Sequence, residues 1–203
     1  MTFVASASSP AQFPRDGLPE VAFLGRSNVG KSSLLNALAG TRGLARVSAE
    51  PGRTRMLNFF RVAGAAGAAA RWDLYLVDLP GYGYAKAPKG EREGWERLIT
   101  SYLVGRPSLA LGVFLVDVRH EATEGDETLR AFLDHYRTPY VLAATKADKL
   151  GRGELGGRIR ELVRGVGQRA RAVLPVSAVT GQGIDELWRT IVEAAVSAPA
   201  VRS

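Results

Sequence analysis

The octet Gly25-Arg26-Ser27-Asn28-Val29-Gly30-Lys31-Ser32 places glycine, glycine, lysine and serine at the spacing G-x-x-x-x-G-K-S. Residues of these types in this order can hold phosphate. The glycines let successive backbone N–H groups turn onto one anion, and the lysine adds a mobile positive charge. Lys31 would reach the β- and γ-phosphates of a nucleotide, and the Ser32 hydroxyl can ligate Mg²⁺. The octet stands between an apolar run, Val21-Ala22-Phe23-Leu24, and a helical pattern from Lys31 to Leu38. The chemistry requires that strand-to-helix context, because a helix N-terminus contributes partial positive charge. The octet alone chooses neither ATP nor GTP, and neither a kinase nor a switch.

Three later passages narrow the choice. Asp78-Leu79-Pro80-Gly81 ends a strand-like run; an acid there can hold Mg²⁺ through a water, and the Gly81 N–H can meet a γ-phosphate. Thr54 lies in the basic loop that precedes this hairpin, where its hydroxyl would complete the Mg²⁺ shell when GTP is bound. Thr145-Lys146-Ala147-Asp148 follows the apolar run Tyr140–Ala144. The Asp148 carboxylate can accept from both N1–H and the exocyclic amine of guanine, a donor pair that adenine lacks. The Lys146 stem can pack along the base, and Val176-Ser177-Ala178 can offer backbone N–H groups to the guanine oxygen. The residue after Gly81 is Tyr82. A phenol there is a poor base and cannot orient water as an amide does, so turnover by the protein alone is expected to be slow.

These groups need a frame. Short apolar runs alternate with amphipathic stretches, which predicts strands at Val21–Leu24, Asn58–Val62, Trp72–Val77, Leu109–Val116, Tyr140–Ala144 and Ala172–Val176. Helices are predicted over Lys31–Leu38, Glu91–Leu103, Glu124–Tyr136, Glu154–Val166 and Ile184–Ala195, with Leu155, Ile159, Leu162, Val163 and Val166 as one stripe of the fourth. The run GAAGAAA, residues 64–70, reads as a hairpin loop. The expected architecture is α/β: a three-layer P-loop GTPase domain with a mostly parallel six-stranded sheet, one antiparallel edge hairpin strand and helices on both faces. Residues 1–17 read as a disordered tail, and 18–198 as a single domain.

The chain has 203 residues and no cysteine, which excludes disulfides, a thiolate nucleophile and a cysteine zinc site. No apolar run approaches the ~20 residues that span a bilayer, and the opening MTFVASASSP lacks a signal peptide's basic start. A cytoplasmic monomer is expected, without membrane insertion. The net charge of +7 favours polyanions such as RNA or anionic lipid.

From about Pro19 to Trp188 the chain resembles the EngB (YihA/YsxC) family of ribosome-biogenesis GTPases. The resemblance is carried by PEVAFLGRSNVGKSSLLNAL, PGRTRMLNFF, DLPGYGYAK, VDVRH and TKADKL. It implies a Mg²⁺-dependent GTPase that acts on the large ribosomal subunit or its precursor, with rRNA contact and a link to cell division and septation. It places GTP or GDP on Gly25, Arg26, Ser27, Asn28, Val29, Gly30, Lys31 and Ser32; on Gly52, Arg53, Thr54, Arg55 and Met56; and on Asp78, Leu79, Pro80 and Gly81. Base contacts fall on Thr145, Lys146, Ala147 and Asp148 and on Val176, Ser177 and Ala178, and Mg²⁺ on Ser32 and Thr54. Asn28 resembles the asparagine of Era-like GTPases that hold K⁺ beside the phosphates. Lys31, Asn28, Thr54 and Gly81 are therefore the groups expected to carry hydrolysis. The chain departs from the family at Glu50, at Arg55 and in RHEATEGD.

Two arginine groups suit RNA: Arg42, Arg46, Arg53, Arg55 and Arg61 near the loop before the hairpin, and Arg152, Arg158, Arg160, Arg164, Arg169 and Arg171 later. Such runs are also common as solvated surface. His120 and His135 read as surface or packing residues, and Trp72, Trp95 and Trp188 as packing. The rival readings are a P-loop kinase or ATPase, against which TKAD argues, a GTP-switched RNA- or protein-binding module with negligible hydrolysis, and a septum-associated role.

Overall fold

Strands and helices alternate along the chain: β1 (Thr2–Ala7), β2 (Glu20–Gly25), α1 (Lys31–Ala39), β3 (Leu57–Ala66), β4 (Ala70–Asp78), α2 (Lys89–Gly105), β5 (Leu109–Asp117), α3 (Glu124–His135), β6 (Tyr140–Thr145), α4 (Arg152–Gly165), β7 (Ala170–Pro175) and α5 (Ile184–Ser197). The computed structural model describes residues 1–40, 56–66, 70–81 and 89–198. The sheet order is β1-β3-β4-β2-β5-β6-β7. β2 runs parallel to β4 and β5, and β5, β6 and β7 continue in parallel. β3 is antiparallel to β4, and β1 is antiparallel to β3.

Every residue of β2 and of β6 is buried, as strands covered on both faces must be. The alternation of side chains along β2 divides the core. Val21 and Phe23 join Leu34, Leu35 and Leu38 of α1 and Leu187 and Ile191 of α5. Ala22 and Leu24 face the other way, toward Leu98, Tyr102 and Leu103 of α2 and Leu133 of α3. This is the expected three-layer arrangement.

Three expectations change in detail. The sheet has seven strands among the described residues, because residues 1–17 are not a tail: Thr2–Ala7 pairs with β3 from Thr2↔Arg61 to Ala7↔Leu57. Behind it Phe13 is buried, its ring 5.8 Å from that of Phe59 and 5.5 Å from that of Tyr102. Tyr75 Oη donates to Asp16 Oδ2 at 2.8 Å. The strands reach further into the GAAGAAA run than expected, since β3 and β4 pair as far as Ala66↔Ala70, and residues 67–69 lie outside the described residues. Position 64 itself needs glycine: a Cβ at Gly64 would collide with the Trp72 indole. In α4 the stripe is Leu155, Ile159, Leu162 and Val166, while Val163 is 52% exposed. It follows Leu162 by one position, a turn of about 100° around the helix.

Trp72 and Trp188 pack as expected, with ring centroids 5.7 Å apart and Trp188 Nε1 donating to Leu38 O at 2.9 Å. His120 and His135 are exposed. The Trp95 side chain lies outside the described residues.

At the N-terminal end of β2, Glu20 is fully buried. Its carboxylate accepts from Tyr102 Oη at 2.8 Å, Arg106 Nε at 2.9 Å and Ser108 Oγ at 2.9 Å. Arg106 also donates to Pro14 O and lies 5.5 Å over the Phe13 ring, which fastens the N-terminal segment to the end of α2.

Candidate functional site

Gly25, Asp78, Asp117 and Thr145 each end a strand, all at the same edge of the sheet, where a doubly wound fold leaves its crevice. The octet turns there. Asn28 and Gly30 both have left-handed backbones, φ 62° and 105°, which curl the loop before Lys31 starts α1. Gly25 lies against β5, where an added Cβ would stand 3.0 Å from Leu115 O. Val29 N–H closes a turn onto Arg26 O at 3.3 Å. Arg26 Nε lies 3.6 Å from the carboxylate of Asp126 in the first turn of α3.

Lys31 Nζ forms an ion pair with Asp78 Oδ1, so the D-x-x-G carboxylate and the loop lysine meet. Leu79 N–H donates to Phe23 O at 3.2 Å, and Leu79 and Pro80 are buried. The chain then passes so near the octet that a Cβ at Gly81 would stand 2.9 Å from Ser27 N. No side chain fits between them, which puts the Gly81 backbone beside the loop. Ser32 follows Lys31 in the first turn of α1.

The TKAD passage also props the loop from the other side. The buried Thr145 hydroxyl lies 2.7 Å from Val29 O and 3.0 Å from Val116 O. Lys146, with φ 60°, donates from Nζ to Asn28 O at 3.0 Å and pairs with Asp117 Oδ2 at 2.8 Å. The stem expected to line a base therefore also ties the loop to β5. Asp148 Oδ1 accepts from Ser177 Oγ at 2.6 Å, and Lys149 Nζ lies 3.1 Å from Oδ2. The hydrogen bond from Ser177, and then that from Lys149, hold the Asp148 carboxyl below its ordinary range. Ala147 N–H donates to Val176 O at 3.1 Å. Of the three amides expected to meet guanine, those of Val176 and Ser177 donate to Ala144 O and Gln182 O. The Ala178 N–H bonds to no described residue.

Gly52, Arg53, Thr54 and Arg55, with Tyr82, lie outside the described residues; Met56 is exposed just before β3. The arginine groups are not uniform. Arg61 Nε bonds Asp73 Oδ1 at 3.0 Å, and Arg158 bonds Glu161 at 2.6 Å and the His120 carbonyl. Neither is a free surface charge.

One participant goes beyond the residue-based reading: Asp117, whose VDVRH context entered only as part of the resemblance. Its side chain is 4% exposed. Burial pushes the carboxyl up, but hydrogen bonds from Arg119 and Lys146 outweigh that and hold it far below the usual range. A depressed folded pKa contributes stability that is present above the unfolded value of 3.8 and lost as pH falls toward the folded one. Asp117→Asn should therefore cost about 2 kcal/mol at neutral pH, and the gap to wild type should narrow below about pH 4. Urea unfolding of both proteins at neutral pH and at acid pH checks this.

A family model described as 50S ribosome-binding GTPase matches residues 20–146. "Probable GTP-binding protein EngB" of Solibacter usitatus (strain Ellin6076) is 46% identical over 189 residues, covering 93% of this chain and 93% of that protein. The same-named protein of Anaeromyxobacter sp. (strain K) is 45% identical over 198 residues, covering 97% and 92%. The chain belongs to the EngB family. Like its EngB relatives it is a GTP-binding protein, and it is a GTPase. A crystal structure of an EngB protein superposes with a TM-score of 0.63 at 25% identity, covering 87% of this chain and 98% of that one. Era in complex with MgGDPNP and nucleotides 1506–1542 of 16S ribosomal RNA superposes with a TM-score of 0.70 at 25% identity, covering 93% of this chain and 60% of Era. Among the described residues of this EngB chain, no helix is long and apolar enough to cross a membrane.

Proposed function

We propose that this GTPase is a GTP-controlled, cytoplasmic and monomeric assembly factor of the large ribosomal subunit or its precursor, in contact with rRNA. Any link to division and septation is then indirect, through the supply of ribosomes. The observation that carries the reading is the meeting of the phosphate octet, the D-x-x-G carboxylate and the TKAD passage at one strand edge, in a chain matched by a ribosome-binding GTPase model.

In this reading the octet amides and Lys31 bind the phosphates, and Asp148, positioned by Ser177, selects guanine with help from the Ala178 N–H. Hard oxygen donors suit Mg²⁺: the Ser32 and Thr54 hydroxyls would hold it, with Asp78 acting through a water. When bound, it neutralises charge on the β- and γ-phosphates. Gly81 offers its N–H to the γ-phosphate, and Thr54 senses that group. Asn28 is the residue that would seat K⁺. With Tyr82 where a water-orienting glutamine often stands, unassisted hydrolysis is slow, and K⁺ or the ribosomal particle raises it. That same tyrosine favours the second reading, a module in which GTP orders a binding surface with negligible turnover.

Gradient co-sedimentation with large subunits and their precursors, in GTP analogue, GDP or no nucleotide, should show association favoured by the triphosphate state. No nucleotide-dependent shift would sink the proposal. Single-turnover hydrolysis in KCl and NaCl at matched ionic strength, with and without subunits, separates the two readings. A rate that neither K⁺ nor the particle raises supports the non-hydrolysing module.

A further inference from the structure

At the N-terminal ends of β6 and β7, a cavity of about 450 Å³ is lined by Arg130, Asp134, Arg137, Gly167, Gln168 and Arg169. The nucleotide loops leave the opposite ends of these strands. The six residues of β6 put roughly 20 Å between the two places.

Three arginines surround one carboxylate here, and that carboxylate is already engaged. Asp134 Oδ1 accepts from the Arg169 backbone N–H at 3.1 Å, and Oδ2 lies 3.7 Å from Arg130 Nη1. Gly167 presses so close that a Cβ there would overlap the Asp134 carboxylate. The Arg137 and Arg169 guanidiniums have no hydrogen-bond or ion-pair partner among the described residues. Arg137 also occupies a left-handed backbone position, φ 56°, just past the end of α3, with its N–H on Asp134 O at 3.1 Å. Glycine is the residue that such a position favours. An arginine held there despite the strain points to a use for its side chain. Beside it, Tyr136 is 43% exposed, its ring 4.7 Å from that of the exposed His135.

We propose that this pocket clamps a phosphate of an RNA backbone, with Tyr136 available to stack an unpaired base, and that it does so in every nucleotide state. Guanidinium forks match phosphate oxygens in pairs, and the cavity has room for a phosphate with its ribose. Aromatic rings beside cationic grooves are how proteins hold single-stranded RNA. The elements that build the pocket are ends of α3, β6 and β7, none of which touches a nucleotide phosphate in the reading above. The pocket thus serves as a standing anchor, and the GTP-dependent contacts are made elsewhere. The choice of RNA rests on the ribosomal reading.

The test compares wild type with the triple variant Arg130→Gln, Arg137→Gly, Arg169→Gln, and with Arg137→Gly alone, which relieves the backbone while removing a charge. Binding is measured to purified large subunits, in GTP analogue and in GDP, and to fluorescein-labelled polyuridylate, at salt from about 50 to about 200 mM. The triple variant should bind both ligands about tenfold more weakly in both nucleotide states. Its slope of log K against log salt should be shallower by about 0.7 for each phosphate it no longer neutralises, with GTP affinity unchanged. Arg137→Gly alone should show a smaller loss in the same direction without loss of thermal stability. Equal affinities and slopes would overturn the proposal, as would a loss confined to the GTP state. A loss on subunits with polyuridylate binding intact would mean an acidic protein partner and would overturn it too. If wild type binds no subunit in any state, the ribosomal reading fails, and the polyuridylate comparison still decides the pocket.

Discussion

Asp148→Asn is expected to weaken GTP and GDP binding on the order of a hundredfold to a thousandfold, and to raise affinity for xanthine nucleotides. The carboxylate would accept two hydrogen bonds from guanine, each worth about 1.5–3 kcal/mol to a charged acceptor. An asparagine amide can accept one and must point its NH₂ at the other donor. Xanthine carries an oxygen where guanine carries the exocyclic amine, so the same NH₂ finds an acceptor there. Ser177 Oγ, 2.6 Å from Oδ1, fixes the carboxylate plane and should hold the amide in a matching orientation. Competition of fluorescent GDP by GTP, XTP and ATP reads the result. An unchanged preference for GTP would remove Asp148 from base selection.

Glu20→Ala should lower the free energy of unfolding by about 3–5 kcal/mol, the range seen when one partner of a buried charge pair is removed. The corresponding fall in Tm is on the order of 10 °C for a domain of this size. The Arg106 guanidinium, with a side chain 16% exposed, loses its carboxylate, and the buried Tyr102 and Ser108 hydroxyls lose their acceptor. In the wild-type cluster burial first, and the Glu20 charge next, push the Tyr102 phenol well above its ordinary value. Because this cluster sits at the far end of β2 from Gly25, GDP affinity measured well below the unfolding transition should stay unchanged. Thermal unfolding and GDP titration of the same preparation check both halves.

Most of the candidate site was legible because its residues lie in passages that are local in sequence. The octet, the D-x-x-G turn and TKAD each fit within eight residues, and each follows a run apolar enough to be read as a strand. What escaped depends on distant partners. Thr2–Ala7 has little periodic signal, since Phe3 and Val4 are both about half exposed, and only the edge of β3 makes it a strand. Lys146 read as a wall for the base, while its bonds to Asn28 O and Asp117 arise from three loops converging. Arg61 and Arg158 counted as surface charge because Asp73 and the His120 carbonyl are neighbours only after folding. Val163 misled for a different reason: on a helix with no fully buried residue the apolar stripe is narrow, and an adjacent valine is hard to exclude.

The edge position of β1 bears on how the chain is made. β1 pairs neither with β2, the next strand along the chain, nor within a local hairpin; Thr2 waits for Arg61 and Ser6 for Asn58. In vectorial synthesis it leaves the exit tunnel before its mate, while β3 and β4, close together in the chain, can zip together as soon as both emerge. Its docking is expected to be a late, long-range closure onto that hairpin. A six-residue strand with a single valine and a serine is a safer thing to leave waiting than a run of valines would be.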